Sequence, residues 1–383
     1  MALESVEFIL KKLVSLNSVF PDEIAIAGYL ARYLKEIGFA VKLQRVAGKR
    51  VNILAECGQG KKAVLFYGHM DTVHPVHDWG SDPFKLSAQG NKLVGLGACD
   101  MKGGLAAILK AIEKTQPQNH KLKIAFCVDE ENQSGGAEIL RKSNWLDDVI
   151  LVISAEPGKG EKTCGGANVV TLGRRGHVTL RLEVPGFAAH GAAPERGRNA
   201  IEDAAKIISN FSNISLAEHP KLGKAGLMIR ACSADSMSFT VPDKAMLIIE
   251  RSTVFPETSS SVLKDLRSFI DSLYIKKIIR PVAGKKTQVF LQGGTNSRLD
   301  PYITDDSNKY VKLLKAIVKN RFGSLCVNYG LSVADDNIFA TMRKIPTITL
   351  GPEGGNLHNS GEWVSRRSLR ELTLVYQDFL KAL

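Results

Sequence analysis

The sequence predicts an α/β domain built on a mixed sheet, with a smaller α+β domain inserted into it. Apolar strands alternate with helices up to about Glu156, strands of alternating polarity take over from about Thr171, and helices and strands alternate again after about Ser297. At 383 residues the chain is longer than one ordinary hydrophobic core supports, so about two domains are expected. We place the first domain in 1–172 and 297–383, and the inserted domain in 173–296.

Composition narrows the class of protein. Hydrophobic residues make up 44% and charged residues 23% of the chain, as in globular proteins. No run approaches the roughly 20 apolar residues of a membrane span. The acidic N-terminal segment lacks the basic and then apolar pattern of a secretory signal. We therefore expect a cytoplasmic protein without a membrane partner.

The net charge of +12 raises the question of a nucleic-acid partner. Basic residues occur mostly as singles and pairs, and we find no nucleic-acid-binding motif and no basic stretch interleaved with aromatic residues. The alternative is a solvated basic surface that attracts small anionic substrates, and this pattern favours it. We predict no nucleic-acid partner.

The first part of the chain reads as two helices followed by strands. Apolar residues recur at helical spacing in 3–16, and a second helix opens at Asp22 and stops at Gly38. Short apolar runs then predict strands. They are Val41–Val46, Val51–Ala55, Ala63–Tyr67, a hairpin of Phe84–Leu86 with Lys92–Val94, Lys121–Val128 and Val149–Ser154. A helix is predicted to start at Leu105, between the hairpin and the strand Lys121–Val128.

Potential metal ligands follow several of these strands at the point where each strand ends. The strand ending at Tyr67 leads into His69 and Asp71, and later strands lead into Asp129–Glu131 and into Glu156. Ligands of open α/β sheets bind at the carboxyl ends of the strands. One His-x-Asp pair is weak evidence, because such a His is often a simple loop residue. The repetition along the chain is what predicts a shared site.

The glycine-rich segment Gly95–Gly104 carries another candidate, Asp100. Its Gly-x-Gly pattern suggests a dinucleotide site, but the third glycine is misplaced and no acidic strand end follows about 20 residues later. We interpret Asp100 as held in a glycine-permitted turn at a helix N-terminus. The adjacent carboxylates of Asp129–Glu131 repel one another unless a cation is present, with a solvated loop as the alternative.

The inserted domain and the last segment follow. In the insert, alternating strands are predicted at Val178–Val184 and Ala245–Glu250, a last strand at Gln288–Leu291, and helices at Asn199–Phe211 and Glu257–Leu273. After it, helices are predicted at Lys309–Asn320, Ala334–Met342 and Ser365–Leu383, with a strand at Thr347–Leu350. That strand leads into Gly351–His358, which places one more His at a strand end.

The collected donors fit a pair of zinc ions. They are His69, Asp100, Glu131, Glu156 and His358. This set provides one His and one carboxylate for each ion, with Asp100 between the two ions. We expect two Zn²⁺, with Co²⁺ or Mn²⁺ able to substitute. Glu130 then remains as the general base for a water between the ions, and Asp71 remains to orient His69.

At these residues the sequence resembles the di-zinc amidohydrolase family of acetylornithine deacetylase, succinyl-diaminopimelate desuccinylase and glutamate carboxypeptidase. The resemblance covers nearly the whole chain in the expected order. The matching segments are Gly68–Val73, Gly97–Gly104, Asp129–Glu131, Ala155–Pro157 and Gly351–His358, and within the insert Gly173–Gly176, Gly186–His190 and Arg196–Ala200.

The resemblance implies a mixed-sheet, zinc-peptidase-like catalytic domain with an inserted α+β two-layer dimerisation domain, and hence a homodimer. It implies that His190 reaches the active site of the partner subunit after domain closure. It also assigns Arg175, Asn199 and Arg251 to substrate binding, with the two arginines on a substrate carboxylate. His74 and His77 are expected to be solvent-facing loop residues.

The leading hypothesis is a hydrolase that cleaves an amide bond next to a free carboxylate in a small anionic substrate, as a deacylase of N-acyl amino acids or a carboxypeptidase. A dipeptidase or aminopeptidase of the same family is one alternative, and a metal-bound non-catalytic binding protein is another. The non-catalytic binding protein is disfavoured because the sequence contains Glu130, a candidate general base, in addition to all five metal ligands. Ala334, Asp335 and Gly354 depart from the desuccinylase pattern, which argues against that narrow activity.

Overall fold

The structure is a computed structural model that describes residues 4–158, 167–234, 236, 238–294 and 298–383. Its described residues form two compact units. The large unit contains the chain up to Arg174, Tyr302–Gly330 and Ala334–Leu383, and the small unit contains Arg175–Pro301 and Leu331–Val333. The boundary predicted at residue 296 lies outside the described residues.

The large unit alternates helices and strands. Its helices are α1 (Val6–Val14), α2 (Ile24–Glu36), α3 (Lys102–Ile112), α4 (Gly135–Arg141), α7 (Lys309–Phe322) and α8 (Arg366–Lys381). Its strands are β1 (Ala40–Ala47), β2 (Arg50–Cys57), β3 (Ala63–His69), β4 (Ser87–Gln89), β5 (Lys92–Val94), β6 (Lys121–Cys127), β7 (Val149–Ser154), β8 (Val169–Arg174), β16 (Tyr302–Ile303), β17 (Cys326–Gly330), β18 (Thr347–Thr349), β19 (Gly354–Gly355) and β20 (Trp363–Ser365).

A mixed nine-stranded sheet forms the centre of the large unit. Its strand order is β1-β2-β6-β3-β7-β18-β8-β16, and β17 also pairs with β8. The four neighbours β6, β3, β7 and β18 run parallel, whereas β1, β2 and β16 join in antiparallel fashion. Because the four central strands are parallel, their carboxyl ends meet at one edge of the sheet.

Helices cover the sheet, and glycines in helix α3 allow this helix to pack closely against the sheet. Helix α3 packs against α1, α8 and β3, and almost all of its residues are buried. A Cβ atom at Gly104 would lie 2.3 Å from the Ala155 carbonyl oxygen, so only glycine permits this approach to the end of β7. We predicted this helix from Leu105, but it begins at Lys102, because its glycines serve close packing and do not interrupt the helix.

The small unit is a two-layer α+β structure. Its helices are α5 (Ala200–Ser209) and α6 (Ser259–Ile275), and its strands are β9 (Gly176–Pro185), β10 (Glu218–His219), β11 (Gly223–Lys224), β12 (Gly226–Ser233), β13 (Lys244–Thr253), β14 (Gln288–Leu291) and β15 (Arg298–Leu299). The antiparallel sheet has the order β12-β13-β9-β14, with β15 also on β9. Both helices pack on it and close a separate core. Thr258 caps α6 through a capping box with Ser261.

The predicted fold class, a mixed α/β protein with a mixed sheet, is confirmed. The hairpin strand predicted at Phe84–Leu86 lies instead at Ser87–Gln89. The helix predicted at Ala334–Met342 is present but begins two residues later, and its last five residues, Ile338–Met342, form a π-helix. Strands β8, β12 and β17 were not predicted. Among the helices of the described residues, none has the length and apolar character needed to cross a membrane.

The six cysteines are scattered without a Cys-x-x-Cys spacing, which predicts buried apolar side chains in the reduced form; one of them, Cys164, lies outside the described residues. Cys99 and Cys127 are buried and are not disulfide-bonded. Cys57 is half-buried, Cys232 is exposed, and Cys326 is disulfide-bonded, so the expectation was wrong for these three.

Candidate metal centre

The carboxyl edge of the parallel strands brings the predicted metal ligands together within the large unit. His69 is the last residue of β3, Glu131 follows β6, Glu156 follows β7, and His358 lies in the segment after β18. Asp100 lies just before α3. This is the arrangement that parallel strands with polar carboxyl ends impose.

The donor atoms form two groups that share Asp100. His69, Asp100 and Glu156 form one group, and Asp100, Glu131 and His358 form the other, with all donor atoms of each group within 4.8 Å of one another. Asp100 Oδ1 lies 3.3 Å from His69 Nε2, and Asp100 Oδ2 lies 3.5 Å from His358 Nε2. Each carboxylate oxygen thus faces a different imidazole, which is the geometry of a bridging ligand between two ions.

The first group fits a cation. His69 Nδ1 lies 3.0 Å from the Asp71 carbonyl oxygen, so Nδ1 carries the proton in the neutral ring and Nε2 presents a lone pair. That lone pair faces Asp100 and, at 3.5 Å, Glu156 Oε1. Glu156 Oε1 is buried and accepts no hydrogen bond from any residue that the structure describes. A divalent ion among these three acceptors would satisfy all of them.

The crowding of buried acidic groups raises the pKa values of several side chains in the site, which also indicates that a cation is needed there. Burial raises the pKa of Glu156 to about 8, with the Asp100 charge adding to the effect. Burial and the neighbouring Glu156 also raise the pKa of Glu130 well above its ordinary value. The hydrogen bonds to Asp100 and Glu131 raise the pKa of His358 to about 10. Protons therefore neutralise this cluster when no other cation does.

Asp71 and Asp129 fix the loop that carries the two glutamates. Asp71 accepts hydrogen bonds from the backbone N–H groups of Glu130 at 3.2 Å and Glu131 at 3.0 Å. Its carboxylate lies 3.7 Å from His69 Nδ1, so its backbone carbonyl, and not its side chain, is in hydrogen-bond range of the imidazole. Asp129 accepts from the backbone N–H of Gly135 at 2.9 Å. From the sequence, Asp129 is distinguishable only as one of three adjacent carboxylates.

A second layer of buried polar residues escaped the sequence analysis. The Tyr67 hydroxyl donates to Asp335, and burial raises the pKa of Asp335 to about 7. Arg174 Nε donates to Asp336 Oδ2 at 3.0 Å. The signal available in the sequence was the polar run Asp335-Asp336-Asn337 between Ala334 and Ile338, because carboxylates buried among apolar residues need partners.

The remaining predicted residues lie in the small unit. His190 is exposed, and its Nδ1 accepts from the Ala192 backbone N–H at 3.1 Å, so a neutral ring carries its proton on Nε2. Its ring meets Phe239 edge to face at 5.8 Å. Asn199 caps α5 by accepting from the Ile201 backbone N–H at 2.9 Å. Neither contact involves the large unit.

The two predicted arginines of the small unit differ in surroundings. Arg175 Nε donates to the Leu222 carbonyl at 2.7 Å. Arg251 is 3% exposed and pairs with Glu257, so its own chain already supplies it with a carboxylate. Their assignment to substrate binding stays a prediction. His74 and His77 are both exposed, as expected.

A mixed α/β fold with His and carboxylate donors converging at one sheet edge defines the class of metal-dependent amidohydrolases. The chain belongs to peptidase family M20/M25/M40, whose family model matches residues 65–382. The resemblance inferred from the motifs is therefore confirmed.

Similar proteins agree with this assignment. The chain is 27% identical to a succinyl-diaminopimelate desuccinylase of Zymomonas mobilis over 385 residues, which cover 97% of this chain and 96% of the relative. A tripeptidase from Staphylococcus aureus superposes with a TM-score of 0.79 at 19% identity, covering 98% of this chain and 97% of that one. A metallo-carboxypeptidase of the M20 family from Sulfolobus solfataricus superposes with a TM-score of 0.78 at 17% identity, covering 98% of each chain.

We expect the stability gained from divalent metal to increase with pH. In the metal-free protein the pKa of Glu156 is about 8 against an ordinary 4.5, so the folded state holds a proton there and loses stability as pH rises from 4.5 towards 8. The pKa of His358 is about 10 against 6.5, so its contribution is present below 6.5 and lost as pH rises towards 10. Bound metal replaces these protons.

The measurement is the melting temperature of chelator-stripped and zinc-loaded protein between pH 5.5 and 8.5. Each proton released on binding strengthens binding about tenfold per pH unit, so the gap between the two melting temperatures should widen by roughly 2–5 °C per unit. A gap that stays constant or narrows as pH rises would contradict this assignment of the ligands.

Proposed function

We propose that this protein is a hydrolase that uses two zinc ions to cleave an amide bond next to a free carboxylate. The observation that carries the proposal is the pair of donor groups that share Asp100, with Glu130 beside both of them. Glu130 also belongs to a third group with His69 and Glu131, whose donor atoms lie within 4.8 Å of one another, and this supports its role as the base that takes a proton from a water between the ions.

The donor groups assign a role to each side chain. His69 and Glu156 would hold one ion, Glu131 and His358 the other, and Asp100 both. Ions bound there would polarise the scissile carbonyl and lower the pKa of the attacking water. Glu130 takes the proton from that water and transfers it to the departing amine. The Asp71 carboxylate holds Glu130 in place by accepting a hydrogen bond from the backbone N–H of Glu130.

We further propose that the small unit forms a homodimer and that His190 acts in the partner's active site. Strand β12 lies at an edge of its sheet and pairs only with β13 among the described strands. It exposes Met228, which is 57% accessible, and an unpaired strand edge favours pairing with a second chain. The proton on His190 Nε2 can then be donated to the oxyanion that forms at the carbonyl.

The free carboxylate is the element of the substrate that the proposal commits to. The names of two similar proteins, a desuccinylase and a carboxypeptidase, both describe amides that carry such a group. Arg175 is our candidate for binding it, because a guanidinium matches a carboxylate with two parallel hydrogen bonds. The high net positive charge of +12 favours the approach of an anion.

The test compares zinc-loaded protein on matched pairs of N-acyl amino acids, each as the free acid and as its C-terminal carboxamide. We expect kcat/KM to favour the acid by roughly 10²-fold, because the half-buried guanidinium of Arg175 loses its charged partner when the substrate carries a carboxamide. Arg175→Ala should remove that preference. Arg181→Ala, on strand β9, which begins directly after Arg175, has a side chain that is 40% exposed; it is the matched control and should keep the preference.

Other outcomes decide between the alternatives. Preference for peptides with a free amine, together with indifference to the C-terminal carboxamide, would favour an aminopeptidase. Binding of two zinc ions without hydrolysis across the panel of N-acyl amino acids and dipeptides would favour a binding protein.

A further inference from the structure

A buried carboxylate, Glu362, lies behind the loop that carries Asp100. Glu362 is 2% exposed. Its Oε2 accepts the backbone N–H of Gly97 at 2.8 Å, and its Oε1 accepts those of Cys99 and Asp100, each at 2.9 Å. One side chain thus satisfies three backbone donors within four consecutive residues.

These hydrogen bonds set the direction of Asp100. They hold the backbone up to the Asp100 amide, and the Asp100 side chain extends from that point towards the donor groups. There its two oxygens face His69 Nε2 and His358 Nε2. Gly97 has φ of +69°, and a Cβ atom on it would lie 2.5 Å from Thr72 Cγ2, so only glycine fits this position of the turn.

The segment His358–Glu362 contains both the candidate ligand His358 and Glu362, which supports the candidate ligand Asp100. Glu362 follows His358 by four residues and directly precedes β20. Its backbone carbonyl accepts the Gly95 N–H at 3.0 Å, so both side chain and main chain hold the Asp100 loop. A displacement of Glu362 would therefore disturb Asp100 and His358 together.

We propose that Glu362 is the positioning residue that makes Asp100 a shared ligand, and that the group of Asp100, Glu131 and His358 depends on it most. This inference rests on the two-ion site proposed above. His69 ends a buried strand and is 1% exposed, whereas the side chain of His358 is 52% exposed in a loop. The first group therefore keeps its other ligands in place when Asp100 loosens, and the second group does not.

The test is Glu362→Gln, which keeps the shape of the side chain. Its carbonyl can still accept two of the three N–H groups, but its NH₂ group would then face the third, donor against donor. Glu353→Gln is the matched control, since Glu353 is half-buried in the same C-terminal segment and belongs to neither donor group. Zinc bound per chain is measured in chelator-buffered zinc, and the Co²⁺ absorption spectrum reports ligand geometry.

We expect wild type and Glu353→Gln to bind two ions. Glu362→Gln should bind the first with near-normal affinity and the second about 10–100-fold more weakly, with an altered Co²⁺ spectrum, as for other residues that orient ligands. If both ions bind with wild-type affinity and spectrum, or if both weaken equally, the inference is overturned. If wild type itself binds no second ion, the two-ion proposal fails instead.

A folding defect is separated by a second measurement. Thermal unfolding of the metal-free proteins shows whether Glu362→Gln folds cooperatively. If it does not, Glu362→Asp is scored in the same zinc and Co²⁺ measurements, because it keeps the charge but withdraws it by one methylene. The expected order of loss and the overturning results are the same.

Discussion

Glu130→Gln should lower kcat by at least about 10²–10⁴-fold while the protein retains both metal ions. The substitution keeps the shape of the side chain and removes only its ability to take a proton. Burial and the charge of Glu156 raise the pKa of Glu130, so in the free site it already has a high affinity for a proton. Bound cations would return it to the ionised form that a base requires. Initial rates and elemental analysis of the same sample measure both effects.

Glu131→Gln is the matched control, because it changes the neighbouring residue in the same loop. Glu131 Oε1 lies 3.0 Å from His358 Nε2 and belongs to the second donor group. We expect this variant to lose metal and to recover activity when zinc is added in excess, whereas Glu130→Gln should not recover. Near-normal kcat in Glu130→Gln would show that another group accepts the proton, and would remove Glu130 from the mechanism.

The site could be anticipated from sequence where local order decides the structure. A short apolar run followed by an acidic or imidazole side chain predicts a strand and its end, and parallel pairing then places such ends together. This reasoning gave His69, Glu131 and Glu156 before the pairing of β3, β6 and β7 was known. Asp100 followed from its glycine-rich turn.

The supporting residues could not be anticipated, because their partners are distant in the chain. Glu362 bonds to residues more than 260 positions away, and Tyr67 meets Asp335 across 268. Nothing in the segment around either residue indicates these contacts. The same limit applies to Ile338–Met342, where apolar spacing predicted a helix but not its π-helical form.

Mixing two inactive variants, His190→Ala and Glu130→Gln, should restore activity if subunits exchange. His190 lies in the small unit, and its backbone is fixed by the Gly191 N–H donating to Phe239 at 2.8 Å. If it serves the partner's active site, one site of a mixed dimer combines the intact Glu130 of one chain with the intact His190 of the other. The second site carries both defects. Alone, His190→Ala should lose about 10²–10³ in kcat, as expected for one oxyanion donor.

Random exchange makes about half of the dimers mixed, each with one intact site of two, so activity should return to about a quarter of the wild-type value. Mass spectrometry of differently tagged subunits measures the exchange itself. The matched control mixes Glu130→Gln with Glu131→Gln, both in the large unit, and is assayed without excess zinc. Every site of that mixed dimer then keeps one defect, so activity should stay low. Exchange without recovery in the His190 mixture would show that His190 does not act across the subunit boundary, and would leave the dimer without a catalytic reason.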